Sequence, residues 1–585
     1  MIASLADYQY KALSTIDSIR LLSVSRDNHH PHGLCLSLKE LPKYGNSEQT
    51  LEPGPGMTFE VVCDGRLMKI SENLFNFLCT ILEFRCLAKA GADEPSSTTP
   101  KCPPKVKSAL ETMPLWIDAF CIDQANDKEK GHQVLLMHRI YSAAQNVLVW
   151  LGLSEPDPEV QWIHDKFVPR LSRALRKPES VKAQLYKDPY CRKPEVLDLL
   201  GPDTCSRWGT SWFILAKFLG ENRWFDRGWV VQEIALANPA QTHIMCGKVV
   251  LSWKRLGAFV QFLHESRWSH SLETHIERSF EHVKLFPNGQ ALSKPQSPTS
   301  RHLGIGGGLH KINGVRNLLS ELVFYTGNES WSMRSEPAWL ACASVIISTL
   351  RSFHFGDDRD HIHGSLGMLS MLLPQGVSSP IIPDYDQSVE DVFTSVAACF
   401  LGRLPLLSEL RHIGKEKTRR YTALPSWVPA YSVPNASKTD RHNRYGGLPQ
   451  TEVTLKVLGR CEGEIWSREL RRPSIIGQKL VLHGMKIDQQ VWEELDNECF
   501  YRTSRQAFGL GSHFAMEHDQ IWFAEGASVP FILREVTPAP ETGKGGTQPR
   551  VFRYIGDIEL SDFDVYSSEL TFERHTLEYE EINII

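Results

Sequence analysis

LWIDAFCIDQANDKEKGHQVLLMHRIYSAAQNVLVWLG, residues 115–152, is the stretch on which the fold turns. Leu115–Asp118 reads as a short buried strand running into the polar loop AFCIDQAND. Over about residues 128–144, Val134, Met137, Ile140, Tyr141 and Ala144 fall on one face at helical spacing. NVLVWLG (146–152) is a second apolar run of strand length, stopped by glycine. Strand, helix and strand at this length make a βαβ unit, which implies parallel strands and an α/β doubly wound parallel sheet. Ligands of such sheets sit beyond the carboxyl ends of the strands, which puts Asp118, Asp123 and Gln124 at the functional rim.

Upstream, TFEVVC, Asp64–Gly65 and RLMKI read as a β-hairpin, because Asp-Gly supplies the positive φ angles of a type I′ turn. Ser71 caps a following helix whose Leu74, Leu78, Ile81 and Leu82 keep helical spacing. Residues 91–108 are rich in Pro, Ser and Thr and read as a surface loop. Residues 1–56 read as peripheral, with one strand at Ile19–Val24. Downstream, 153–210 reads as an insertion with several prolines, and NRWFDRGWVVQEIALA (222–237) as an aromatic-rich lead into a helix. Residues 285–312 read as low in order, about 336–351 as helical, and the last 115 residues as β-rich: KLVLHGMKI, DQIWFAEG, SVPFILREV and VFRYIGDIEL.

With 585 residues the chain exceeds what one hydrophobic core sustains, so several domains are expected. A net charge of -5, with acids and bases interspersed, gives no nucleic-acid footprint. No stretch approaches the ~20 apolar residues of a membrane span, and the N-terminus lacks a secretory signal's apolar core. The 13 cysteines include no C-x-x-C pair, which points to reduced thiols in a cytosolic or nuclear setting, cytoplasmic being the expectation, and argues against structural zinc.

Three blocks in order, LWIDAFCIDQ (115–124), QVLLMHRIYSAAQNVLVWLG (133–152) and RWFDRGWVVQEI (223–234), closely resemble the fungal heterokaryon-incompatibility (HET) domain. The usual forms are W-I-D-x-x-C-I-x-Q, M-x-x-I-Y-x-x-A leading to V-W-L-G, and R-x-W-x-x-Q-E. DDRDHIHGSLGMLS (357–370), PDYDQSVEDVF (383–393), LPSWVPAYS (424–432) and DQIWFAEGASVPFILRE (519–535) look like the C-terminal region that accompanies many HET domains. The family normally opens with a strand close to A-L-S-Y-x-W-G. Here the first tryptophan is Trp116, so IRLLSV or TFEVVC replaces that block, or the sheet lacks an element. The resemblance implies a TIR-like (flavodoxin-like) domain over 57–237, after a peripheral segment 1–56. A mostly helical middle region (238–450) and a β-rich, mixed α+β C-terminal region (451–585) follow.

It also implies a role in incompatibility: recognition of a protein partner, self-association as a homo-oligomer, and death of the fused cell. HET domains are similar to TIR domains, some of which cleave NAD with a glutamate in a W-x-x-x-E helix, and Trp229 and Glu233 match that spacing. A carboxylate there can bind ribose hydroxyls and stabilise positive charge as nicotinamide departs, making NAD a candidate substrate. The competing reading pairs Glu233 with Arg227 or Arg223 as fold support. Arg227, Asp118, Asp123 and Gln124 are the ligand-binding candidates. For the two aspartates the competing role is to secure the loop by accepting backbone N–H groups. Cys121 has no visible histidine partner and reads as buried. Trp116, Trp150, Trp224 and Trp229 read as core anchors. GIGGG (304–308) reads as a loop lacking a P-loop lysine, His29, His30 and His32 as a solvated loop, and His361 and His363 as structural.

Overall fold

IRLLSV does form a strand. Leu21, Leu22 and Val24 are buried in β1 (Ile19–Arg26), which pairs antiparallel along its whole length with β2 (Leu34–Leu41). The computed structural model describes residues 6–15, 17–26, 34–41, 48–50, 58–89, 102–269, 271–272, 307–326, 336–373, 378–403, 420–421, 423–433, 474–476, 478–491, 500–503, 508–511, 516, 518–524, 530–536, 550–560 and 580–585. These fall into two units, 1–320 and 321–585.

In the first unit, β3 (Glu48–Thr50) is followed by the hairpin β4 (Thr58–Cys63) and β5 (Arg66–Ser71). Its turn residues Asp64 and Gly65 take φ of 49° and 74°, as a type I′ turn requires. Ser71 Oγ accepts the Leu74 N–H at 3.4 Å and starts α1 (Glu72–Lys89). Residues 104–108 of the expected loop are helical: Pro104 stands in the first turn of α2 (Pro104–Thr112), where its missing N–H costs nothing. β6 (Leu115–Trp116) is shorter than expected, because Asp118 already belongs to the single-turn α3 (Asp118–Cys121). Asn126 caps α4 (Asp127–Ala143) by accepting the Glu129 N–H. β7 (Asn146–Trp150) is buried at every position. Each aliphatic side chain so buried is worth about 1.5–3 kcal/mol.

The insertion is helical: α5 (Pro158–Trp162), a π turn at Ile163–Phe167, α6 (Val168–Ala174), α7 (Glu179–Tyr186), α8 (Pro194–Leu200) and α9 (Asp203–Glu221). Phe167 stacks on Trp208 at 4.4 Å within it. Then come α10 (Gly228–Leu236), β8 (Thr242–Cys246), β9 (Val249–Ser252), α11 (Trp253–Glu265) and α12 (Gly307–Thr326).

The nine strands run β5-β4-β2-β1-β6-β3-β7-β8-β9. The expected parallel pairing holds for β6, β3, β7 and β8, whereas β1 pairs antiparallel with β6 and β8 with β9. The sheet is therefore mixed, because its flanks are hairpins rather than helical crossovers. It also crosses both expected domain borders. Residues 1–56 supply three of its strands, so that segment is not peripheral, and β8 and β9 lie beyond 237. Neither IRLLSV nor TFEVVC lies between the two motif strands. That place is taken by β3, where Glu48 faces both Leu115 and Asn146.

The second unit contains α13 (Glu336–Leu350), α14 (Asp360–Ser370) and α15 (Val389–Arg403). Its strands are β10 (Ser474–Ile476), β11 (Lys479–Val491), β12 (Phe500–Thr503), β13 (Phe508–Gly511), β14 (Gln520–Ala524), β15 (Phe531–Val536), β16 (Val551–Leu560) and β17 (Glu580–Ile584). Each of the four apolar runs read as β-type lies in a strand. Pairing of β11 with β14 closes a circuit through β12, β13, β16 and β15.

Candidate functional site

Gln232 and Glu233 stand in α10, a helix that packs against α4 and buries almost all its residues. Asn222 initiates the preceding 3-10 turn, Arg223–Asp226, by accepting the Trp224 N–H at 3.1 Å. Trp229 and Glu233 lie one turn apart on the same face. Glu233 is only 1% exposed, and its Oε2 has no hydrogen-bond partner among the described residues. Neither polar atom of the Gln232 side chain has one either.

Burial first, and the nearby Asp118 second, push the Glu233 carboxyl well above the usual carboxylate range, with Arg227 opposing the shift. Asp118 is likewise raised, chiefly by burial, while the Ala119 N–H and Arg227 pull the other way. Asp118 retains some accessible surface, whereas Glu233 is closed off. Tyr141 in α4 completes the cluster. Its hydroxyl is raised by burial and by Glu233, and its ring meets Trp116 edge-on at 5.9 Å. The hydroxyl is near enough to influence Glu233, yet neither it nor Oε2 completes a hydrogen bond of ordinary geometry. Residues from all three sequence blocks thus converge on one buried pair of carboxyls. Burial thus disfavours the ionised form of both carboxyls, and Arg227 opposes it at each.

The other candidates serve the loop. Asp118 Oδ1 accepts the Ala119 N–H at 2.8 Å, and Gln124 Nε2 donates to the Asp118 carbonyl at 3.0 Å. Asp123 Oδ1 accepts the Ala125 N–H at 3.2 Å. Asp123 and Gln124 are therefore engaged in holding the turn, as the structural reading has it. Trp116, Trp150 and Trp224 are buried as expected, but Trp229 keeps part of its surface exposed. Arg223 is exposed, and Arg227 is the basic residue that acts on the carboxyl pair. The Cys121 thiol is buried and pushed up to about 12, which removes it as a nucleophile.

Three supporting residues escape sequence reading. Arg20 in β1 pairs with Glu129 in α4 at 2.5 Å, and Glu129 accepts the Asp123 N–H at 2.8 Å. At the far end of α10, the buried Arg316 of α12 donates to the carbonyls of Ile234 and Ala237. A cation there complements the negative end of the helix dipole. Only the charge of these residues is visible in the sequence; Arg20 and Glu129 stand 109 positions apart, and Arg316 reaches carbonyls 79 and 82 positions away.

His361 and His363 are buried in α14 with hydrogen-bond partners, as expected of structural histidines. The histidines at 29, 30 and 32 and residues 304–306 of GIGGG lie outside the described residues, while Gly307 and Gly308 begin α12. Among the described residues no cluster of His, Cys, Asp and Glu could hold a metal ion. No described helix is long and apolar enough to cross a membrane.

Comparison with known proteins bears on the same region. The family model for Heterokaryon incompatibility protein (HET) matches residues 102–233, from just before α2 to Glu233 itself. The chain is 26% identical over 394 residues to Heterokaryon incompatibility protein 6, OR allele, of Neurospora crassa. That similarity covers 61% of this chain and 52% of the relative, so the chain spans about half the length of the protein it matches. No solved structure matches the chain. Together the three blocks and the matched span place a HET domain at residues 102–233 of this chain.

Proposed function

We propose that this HET domain protein is a cytoplasmic effector of heterokaryon incompatibility, which meets a protein partner, self-associates and kills the fused cell. The name of its relative supports the incompatibility role. The state of the carboxyl pair supports the mode of action. Glu233 is buried, and burial disfavours its ionised form, so the single chain offers no solvent-accessible Glu233 carboxylate to a substrate. An effector that works by association needs none. The test is to follow assembly and killing together, by light scattering on purified chain and by viability in a fungal host. Killing should track assembly across surface variants; killing by a variant that stays monomeric overturns the proposal.

A second reading is favoured by one observation, the convergence of Asp118, Tyr141 and Glu233 from the three separate blocks. In it the domain is TIR-like and assembly turns it into an NAD nucleosidase. Glu233 must then lose its proton, because only the anion stabilises the positive charge left as nicotinamide departs. Assembly would have to admit water or move Arg227 closer to achieve this.

A further inference from the structure

We propose that Arg20 is a positioning residue: through Glu129 it holds the Asp118–Gln124 loop in register, so that the segment before β1 governs the geometry of the carboxyl site. The inference rests on the functional reading only in taking that loop to matter.

The guanidinium makes four hydrogen bonds. Nη1 donates to Glu129 Oε1 at 2.5 Å and to the Cys121 carbonyl at 3.0 Å. Nη2 donates to Glu129 Oε2 at 3.1 Å and to the Lys11 carbonyl at 2.6 Å. With side-chain exposures of 5% and 9%, this is a buried fork rather than a surface pair. Glu129 Oε1 passes the restraint on by accepting the Asp123 N–H. The loop thus has one carbonyl and one amide fixed by side chains from β1 and α4, and nothing within its own sequence could supply either.

The segment ahead of β1 lies across the same loop. The Tyr10 hydroxyl donates to the Phe120 carbonyl at 3.1 Å, and the Arg20 guanidinium sits 5.1 Å from the centre of the Tyr10 ring. Tyr8 and Leu67 exchange backbone hydrogen bonds with that segment, the Tyr8 N–H donating to the Leu67 carbonyl at 2.7 Å and the Leu67 N–H to the Ala6 carbonyl at 3.0 Å. The segment is therefore anchored at the sheet edge before it reaches the loop. Gln133, one turn beyond Glu129 in α4, donates to the Ser18 carbonyl at 3.0 Å and fixes the other side. Arg20 is the group on which segment, strand, helix and loop all meet. A partner that pulls residues 8–11 away removes the Lys11 and Tyr10 contacts and loosens the loop, with no need to touch Asp118.

The test is amide hydrogen exchange on the full chain, comparing wild type, Arg20→Met, Glu129→Gln and the double variant. The restraint predicts about tenfold faster exchange at amides 119–126 in each single variant, with β7 and β8 changing far less. The double variant should add little beyond the larger single effect, because the two residues act on the loop as one unit. Arg20→Lys restores charge without the fork and should recover only part of the protection. Unchanged loop exchange overturns the proposal. So does an equal rise in β7 and β8, which would make Arg20 a general stabiliser of the fold. Should Arg20→Met fail to fold, Glu129→Gln is near-isosteric and decides the matter alone. Exchange is read on purified protein, so a failure of the killing experiments leaves this result standing.

Discussion

At the scale of single residues, Glu233 is the most consequential side chain in the first unit. Its carboxyl sits higher in the folded chain than in the unfolded one, where it titrates at about 4.3. A raised folded pKa contributes stability that is full below the unfolded value and is lost as pH rises through the folded one. At neutral pH, Glu233 therefore costs stability, and a neutral isostere removes that cost. Glu233→Gln should raise stability at pH 7 by on the order of 1 kcal/mol and flatten its decline towards pH 8. Urea melts of both chains at pH 6 and pH 8 check this; a variant midpoint below that of wild type at pH 8 would mean that Glu233 is ionised and paired. Cys121 offers an independent probe of the same centre. With its thiol at about 12, it should resist alkylation at pH 7.5 while the exposed Cys205 reacts, and mass spectrometry of the labelled peptides distinguishes them.

Among elements, α10 matters most, because it carries the last of the three blocks. Its C-terminal carbonyls are closed by Arg316, whose own pKa falls to about 10 through burial. Arg316→Ala should lower stability by about 2 kcal/mol, since charged donors to buried carbonyls are lost, and a denaturant melt measures it. Much of the element structure was legible in advance. Asp64–Gly65 announced the β4–β5 turn, Ser71 the cap of α1, and the apolar faces of α4 and β7 their burial. What could not be read has a common physical cause. The three-residue β3 carries no pattern of its own and takes its place only through pairing with β6 and β7. The antiparallel join of β1 to β6 depends on strands far apart in sequence, Leu22 standing opposite Leu115. Leu115–Asp118 reads as one strand because its last residue differs from the rest only in backbone angle. The same holds for the site: Trp229 and Glu233 were found through local spacing, whereas Arg20, Glu129 and Arg316 act across 79 to 109 positions.

The whole molecule joins a recognisable HET domain to material that extends well past it. The similarity to the Neurospora protein covers 61% of the chain, more than the first unit holds, so it reaches into the second. There the blocks read from sequence occupy α14, the stretch before α15, and strands β14 and β15. Polar groups tie them together, as where Tyr385 donates to Asp360 at 2.7 Å and Arg534 pairs with Asp519 at 2.8 Å. These contacts tie the second unit together internally, and the titratable cluster of Asp118, Tyr141 and Glu233 belongs to the first unit. We propose that this centre serves an effector that acts by association, with no turnover at the buried Glu233. It is tested most directly by measuring NAD in a fungal host after inducing wild type and Glu233→Gln in parallel. The account predicts that both chains kill and that NAD stays at its starting level until the cells die. A fall in NAD with wild type that Glu233→Gln abolishes would contradict it and establish the nucleosidase instead.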